Sequence, residues 1–208
     1  MTNISVFNKI NDVLLNSKKP SYDIIKMIKE GQLKNTPFEV IEKLQYIDQN
    51  EKYHPEGNVL NHVLLVIDEA NKVKHLSSDE KVFMWAAFMH DIGKLTTTKL
   101  IKNRISSYNH DVEGEKITFK ILSDVCDDVS FNIKVSKLVR YHMQPLFYDK
   151  KKNLFEPEMI RKEVDYKEVA LLAKSDRLGR KGFSYEYMDN EINRINQFIM
   201  YFEKGGNK

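Results

Sequence analysis

The sequence contains a single cysteine, Cys126, so no disulfide can form within the chain. A chain of this kind fits a reducing compartment, and we therefore expect a cytoplasmic location. No apolar run approaches the ~20 residues that a membrane-spanning helix needs. The first residues also lack the basic-then-apolar order of a signal peptide. The sequence therefore predicts no membrane partner.

Charge of one sign is not in large excess either, because the formal net charge is only +3. A nucleic-acid partner is therefore not required by charge alone. The basic residues are concentrated locally, in a run formed by Lys94, Lys99, Lys102 and Arg104 and in another over 150–152. Such runs are usually solvated surface. Beside a metal site they would also attract a phosphorylated substrate.

Strand-like alternation is scarce, and helical periodicity dominates. With 41% apolar residues in 208, the chain can bury one sizeable core. We predict an all-α fold: a multi-helix bundle over 51–204, on which a short N-terminal helical extension over 1–50 packs. The predicted helices lie at about 21–30, 37–45, 58–70, 80–92, 110–123, 129–143, 166–176 and 184–202, with loops over 95–109 and 146–158.

Several polar residues lie on or beside core-facing stripes of these helices: His62, His90, Asp91, His142 and Asp176. A carboxylate turned toward a core is costly unless it is paired or bound to a metal. For Asp176 we expect apolar neighbours, because the arginine that follows it should point elsewhere on the helix. Imidazole and carboxylate together suit Zn, Mn, Fe, Co, Ni or Mg, depending on geometry. The pattern therefore predicts a metal site.

The ordered set His62, His90-Asp91 and Asp176 resembles the H…HD…D motif of the HD superfamily of metal-dependent phosphohydrolases. The context narrows the resemblance to the HD domain of bacterial tRNA CCA-adding nucleotidyltransferases, through Trp85–Lys94, Tyr53–Val59 and Ser175–Arg180. The resemblance covers roughly residues 15–185. We expect no nucleotidyltransferase head of the kind those enzymes carry, since no Gly-Ser motif with paired metal-binding carboxylates precedes this region in the sequence. We therefore do not expect CCA addition itself.

The resemblance implies a phosphohydrolase that removes phosphate from nucleotides or RNA ends, or opens a 2′,3′-cyclic phosphate on them. It implies one or two divalent ions (Mn, Ni, Co, Mg, Fe or Zn). The first would be held by His62, His90, Asp91 and Asp176. Some members use extra histidines between the His-Asp pair and the last Asp, which here would be His110 and His142. Asp91 would then bridge both ions.

Further roles follow from position. Lys94 lies one turn beyond His90, where it could contact a phosphate oxygen and stabilise developing charge. Arg180 could also bind substrate, His54 could contact substrate or orient the site, and Asp91 could accept a proton. Three of these residues also have an ordinary structural interpretation. Lys94 could be a surface lysine, Arg180 a structural ion-pair partner and His54 a turn residue.

Alternative interpretations of two histidines remain. His110 could be an exposed helix-start histidine, and His142 could cap its helix. The aromatic residues of the last helix are interpreted as packing residues and not as a surface for stacking bases: Tyr185, Tyr187, Phe198, Tyr201 and Phe202.

Two alternative functions remain, an HD nucleotidase acting on free (deoxy)nucleotides and a non-catalytic RNA-binding module. The oligomeric state is left open.

Overall fold

A computed structural model describes residues 2–206, so residue 1 of the predicted extension lies outside the described residues. The helices are α1 Asn3–Asn16, α2 Pro20–Lys29, α3 Glu39–Lys43, α4 Val59–Val73, α5 Glu80–Met89, α6 Lys94–Thr97, α7 His110–Ser123, α8 Val129–Tyr141, α9 Gln144–Asp149, α10 Pro157–Glu163, α11 Tyr166–Leu178 and α12 Tyr185–Glu203. Short 3-10 turns follow α3 and α4, and the strands are β1 Thr98–Ile101 and β2 Arg104–Ser107. The predicted all-α class is confirmed.

Several helices begin at side-chain caps. Asn58, Asp79, Asp128, Asp165 and Ser184 each accept a hydrogen bond from a backbone N–H in the first turn of the helix that follows. Such a cap satisfies one of the donors that a helix N-terminus leaves unpaired. The caps therefore fix where α4, α5, α8, α11 and α12 start.

Helix α5 is the centre of the bundle. Every residue from Val82 to Met89 is buried, because α1, α4, α8 and α11 all pack against this helix. A helix that is apolar on all sides is a core helix. Its carboxyl end delivers His90 and Asp91 into the interior.

The N-terminal helices cover one side of this centre. Val6, Ile10 and Leu14 of α1 are fully buried, and the indole N–H of Trp85 donates to Asn11 Oδ1 at 3.0 Å. Helix α2 packs on α4. The boundary at residues 50 and 51 between an extension and a second domain stays a prediction.

The segment predicted as a loop over 95–109 contains α6 and an antiparallel hairpin, which pairs Thr98 with Ser107 and Ile101 with Arg104. Its turn residues, Lys102 and Asn103, both have positive φ, at 49° and 59°. That conformation matches the right-handed twist of paired strands. The prediction of a loop was also wrong over 146–158, where α9 ends and α10 begins.

Within residues 2–206, no helix is long and apolar enough to cross a membrane.

Candidate metal centre

Five segments meet at one buried point. They bring together the six predicted ligands: His62 from α4, His90 and Asp91 after α5, His110 at the start of α7, His142 after α8, and Asp176 near the end of α11. All six are buried, with at most 8% of their surface exposed.

Asp91 lies at the centre of this cluster. Its Oδ2 is 3.3 Å from His90 Nε2 and 3.7 Å from His62 Nε2. Its Oδ1 is 3.4 Å from His110 Nε2 and 4.0 Å from His142 Nε2. The two oxygens of one carboxylate therefore face two different pairs of imidazoles.

The cluster contains buried polar atoms without hydrogen-bond partners, namely the Nε2 atoms of His62 and His90. His62 Nε2 does lie 3.0 Å from Asp176 Oδ1. This is an electrostatic contact and not a hydrogen bond. Buried polar atoms are nearly always paired, so these two orphaned nitrogens fit a site made for a cation. The structure thus provides a His/Asp cluster that could hold a metal.

Hydrogen bonds of the Nδ1 atoms fix the orientation of three imidazole rings. The Nδ1 atoms of His90, His110 and His142 each lie 2.6–2.8 Å from the backbone carbonyl three residues earlier. A carbonyl only accepts, so each Nδ1 carries the proton and each Nε2 points its lone pair into the cluster. This is the arrangement in which metal-binding histidines are held in proteins.

Both carboxylates of the cluster are ionised. Burial opposes this, but the Lys94 ammonium group, 2.7 Å from Asp91 Oδ2, and nearby imidazoles hold the pKa of Asp91 well below its usual value. Burial also opposes ionisation of Asp176, whose pKa is nevertheless held low by Arg180 and Arg177. The centre therefore offers negative charge where a cation would bind.

The pKa values of the imidazoles are shifted in different directions. Burial and the neighbouring His110 and His90 lower the pKa of His142 to about 3. Burial also lowers the pKa of His110. Both rings are neutral at pH 7, which is the form that binds metals. For His90, burial is outweighed by the Asp91 carboxylate, which raises its pKa; a proton is thus attracted to the place that an ion would take.

Two residues of the site were missed from the sequence. Glu56 Oε1 lies 2.9 Å from Nδ1 of both His54 and His62, so one carboxylate orients two rings. Gln49 Oε1 accepts a hydrogen bond from Lys94 Nζ at 2.8 Å. Both residues lie outside regular helices, and for that reason no periodic pattern marked them.

The prediction that Arg177 points away from Asp176 was wrong. Its Nη1 donates to Asp176 Oδ2 at 2.8 Å, while its Nε lies 3.1 Å from a carboxylate oxygen of Glu191 on α12. The guanidinium is long enough to fold back on its own helix. Asp176 therefore sits in an ion-pair network and not among apolar groups alone.

The cluster opens into a cleft of about 730 Å³. Lys94, Arg180 and His54, the predicted substrate-binding residues, all line it beside Asp91 and Asp176. Lys94 is buried rather than a surface lysine. Arg180 Nη2 lies 3.3 Å from Asp176 Oδ1, and its buried Nε has no hydrogen-bond partner.

Fold and cluster together define a helical protein with a buried His/Asp site that could hold a metal. The model of the HD domain family matches residues 59–181, more than half of the chain, and the chain belongs to that family. All six predicted ligands lie within the match. HD domains bind divalent metals, and the family consists mostly of metal-dependent hydrolases.

Several similar curated proteins carry the name "Multifunctional CCA protein". The protein of Actinobacillus pleuropneumoniae serotype 5b (strain L20) is 30% identical over 168 residues, which cover 74% of this chain and 39% of that protein. The protein of Shewanella frigidimarina (strain NCIMB 400) is 29% identical over 114 residues, or 55% of this chain and 26% of that protein. The chain thus spans about two fifths of the length of the first relative.

Proposed function

We propose that this chain is a cytoplasmic phosphoesterase that removes phosphate from nucleotides or RNA ends, or opens a 2′,3′-cyclic phosphate on them, with a divalent metal. The observation that carries the proposal is a buried cluster of ionised carboxylates and lone-pair-bearing imidazoles at the bottom of a cation-lined cleft. Membership of a family of mostly metal-dependent hydrolases supports the reaction class. The name that its relatives share supports an RNA terminus as substrate.

One ion would be held by His62, His90, Asp91 and Asp176. When bound, an ion such as Mn, Ni, Co, Mg, Fe or Zn would polarise a phosphoryl oxygen and lower the pKa of a water molecule. The orphaned Nε2 atoms of His62 and His90 support this ligand set. Glu56 supports it indirectly, because it holds the His62 ring in the orientation that leaves Nε2 free.

A second ion would be held by Asp91, His110 and His142. His110 Nε2 and His142 Nε2 lie 3.2 Å apart. Because both rings donate from Nδ1 to carbonyl groups, two lone pairs face each other at this distance. Such a contact is repulsive unless a cation or a proton lies beside it. The second oxygen of Asp91 faces the same two rings, which supports Asp91 as the bridging carboxylate.

The basic residues of the cleft would handle the phosphate. Lys94 and Arg180 lie beside the two carboxylates, where they would contact phosphoryl oxygens and stabilise charge that develops on them. Asp91, whose Oδ2 lies 2.7 Å from Lys94 Nζ, would accept a proton as well as bind metal. His54 would contact substrate; burial lowers its pKa to about 3, so it would do so as a neutral group.

The test measures metal content and hydrolysis together. Metal content of the wild type would be determined by elemental analysis, beside assays on nucleoside 2′,3′-cyclic phosphates, nucleotides and a 3′-phosphorylated RNA. We expect His90→Ala and Asp176→Ala to lose both metal and activity, and His110→Ala to lose one of two ions. His75→Ala is the matched control, because His75 is exposed on the turn after α4.

The same assays can refute the proposal. Wild-type protein that neither holds metal nor hydrolyses any of these esters after metal addition would refute the proposal. RNA binding without turnover would then favour a non-catalytic RNA-binding module. Hydrolysis of free (deoxy)nucleotides alone would identify an HD nucleotidase instead.

A further inference from the structure

The outer part of the cleft, its mouth, contains neither the predicted metal ligands nor the basic residues beside them. At about 730 Å³ the cleft is as large as pockets that enclose drug-sized ligands, whereas the predicted ligands occupy only its buried floor. Around the opening lie Tyr53, Tyr108 and Tyr187. Their side chains remain 48%, 70% and 36% exposed. An aromatic ring left in water at the rim of a cleft is available to a planar ligand.

Tyr108 belongs to the backbone segment that places a predicted ligand. It follows β2 directly and lies two residues before His110, separated from it by Asn109 in the left-handed conformation, with φ of 59°. The His110 ring is fixed by its hydrogen bond to Ser107 O, at 2.8 Å. The position of Tyr108 is therefore tied to the floor of the cleft although its ring stays in solvent.

Tyr187 reaches the mouth from a different element, the first turn of α12. Its ring stacks on Phe183, with centroids 4.5 Å apart and planes at 16°. The stack holds the Tyr187 ring in place, so less freedom is lost when a ligand covers its other face. Among the aromatic residues predicted to pack, Phe198 and Phe202 are buried in the core, whereas the prediction was wrong for Tyr185, which is exposed.

The mouth also carries positive charge. Lys150, Lys152 and Arg194 line it. Asp149 pairs with two of these cations: its Oδ2 lies 3.1 Å from Lys150 Nζ, and its Oδ1 lies 3.6 Å from Arg194 Nε. Among residues 2–206, no carboxylate is within ion-pair distance of Lys152, whose ammonium group lies 5.4 Å from the centre of the Phe147 ring. Lys152 is thus the cation at the mouth that is available to an anion.

We infer that the mouth is a nucleoside subsite, in which Tyr108 and Tyr187 stack against the base and Lys152 contacts an adjoining phosphate. The inference rests on the proposed phosphoesterase function and specifies its substrate class: an RNA terminus with at least one further phosphodiester. Single-stranded RNA is bound by aromatic side chains that stack on unpaired bases, together with cations along the backbone. Aromatic rings and a cation around the opening of a cleft whose floor holds the predicted metal ligands match that chemistry.

The activity test compares a substrate that has a base with one that does not. With metal-loaded protein, kcat/KM is measured for adenosine 2′-monophosphate and for glycerol 2-phosphate. We expect Tyr108→Leu and Tyr187→Leu each to lower the ratio of these constants about 5- to 150-fold, as for the loss of one base stack. The control is Tyr185→Leu, since Tyr185 lies in the same turn of α12 but is 88% exposed and outside the cleft. An unchanged ratio, or equal losses on both esters, would overturn the inference.

Lys152 is tested by the salt dependence of binding. Anisotropy of a fluorescent triadenylate with a 3′-phosphate gives the association constant as salt is raised. Lys152→Gln is expected to reduce the slope of log K against log salt by about 0.7, the value for one phosphate contact on a single strand. Lys151→Gln, outside the cleft, should leave it unchanged. Equal slopes for the two variants would contradict the assignment.

The same binding assay separates the two proposals. If the protein hydrolyses neither ester with any metal, the phosphoesterase function fails but the subsite can still be judged. Weaker triadenylate binding by Tyr187→Leu than by Tyr185→Leu would support it. Equal binding by these two variants would reject it.

Discussion

Replacing Gly93 with alanine is expected to damage the metal centre from its backbone side. A Cβ at this position would lie 2.0 Å from the carbonyl oxygen of His110 and 2.6 Å from the backbone nitrogen of Gly114. Real Cβ contacts stay above 3.0 Å, so the start of α7 would have to move by about 1 Å, as in other overpacked interfaces. Backbone atoms cannot rotate aside as the end of a side chain can.

That shift would act directly on a predicted ligand. His110 Nε2 now lies 3.4 Å from Asp91 Oδ1. A displacement of about 1 Å at a reacting site can lower activity by about 100-fold. Overpacking should also reduce the free energy of unfolding by about 1–3 kcal/mol. We therefore expect Gly93→Ala to lose one of two ions and most of its activity while it still folds.

The assay combines elemental analysis, kcat/KM on a nucleoside cyclic phosphate, and urea unfolding followed by far-UV circular dichroism. Gly114→Ala is the control from the same interface. Its Cβ would meet a methyl carbon of Val139 at 3.0 Å, which can move, and alanine is favoured over glycine inside a helix by up to about 1 kcal/mol. This variant should keep its metal. Wild-type metal content and activity in Gly93→Ala would refute the reasoning.

Three further predictions concern other supports. A Cβ at Gly179 would lie 2.7 Å from a methyl carbon of α4 and 3.0 Å from its backbone, so Gly179→Ala should separate α11 from α4 and reduce metal content and thermal stability. Glu56→Gln removes the carboxylate behind His62 and should weaken metal binding about 10- to 100-fold, measured by chelator competition. Glu163, whose pKa is lowered mainly by its hydrogen bond with Lys137, should stabilise the fold above its ordinary pKa of 4.5 and lose this effect as pH falls through its lowered folded pKa. Glu163→Gln should therefore be less stable than wild type by about 1 kcal/mol at pH 7, and the difference should shrink toward pH 3.

The two glutamate predictions each have a matched comparison. Glu51→Gln, on an exposed turn, should bind metal as the wild type does. Glu203→Gln, exposed at the end of α12, should not change the pH dependence of unfolding. A stability difference for Glu163→Gln that stayed constant between pH 7 and pH 3 would contradict the explanation by an ionised carboxylate. Wild-type metal affinity in Glu56→Gln would contradict the role of Glu56 in orienting His62.

Much of the helical framework could be predicted from the sequence, because a helix is specified by local periodicity and caps. Helix α7 was predicted at the bounds the structure gives, His110–Ser123, and the Ser184 cap of α12 was recognised. Helix α1 was covered only by the general extension over 1–50. The hairpin was missed because each strand has four residues, and its Lys102-Asn103 turn lacks the glycine that usually marks such turns.

The sequence by itself determined which residue types reach the interior at the ends and faces of helices, and in what order: His62, His90-Asp91, then Asp176. It did not determine how those helices approach one another, because periodicity fixes a residue's face on its own helix and nothing about its distance from another. Only the packing of α4, α8 and α11 around α5, with α7 against α8, turned each oxygen of Asp91 toward a different pair of imidazoles. Packing also brought Glu56 behind His62 and folded Arg177 onto Asp176. These contacts depend on side-chain reach across elements, which a one-dimensional pattern does not contain.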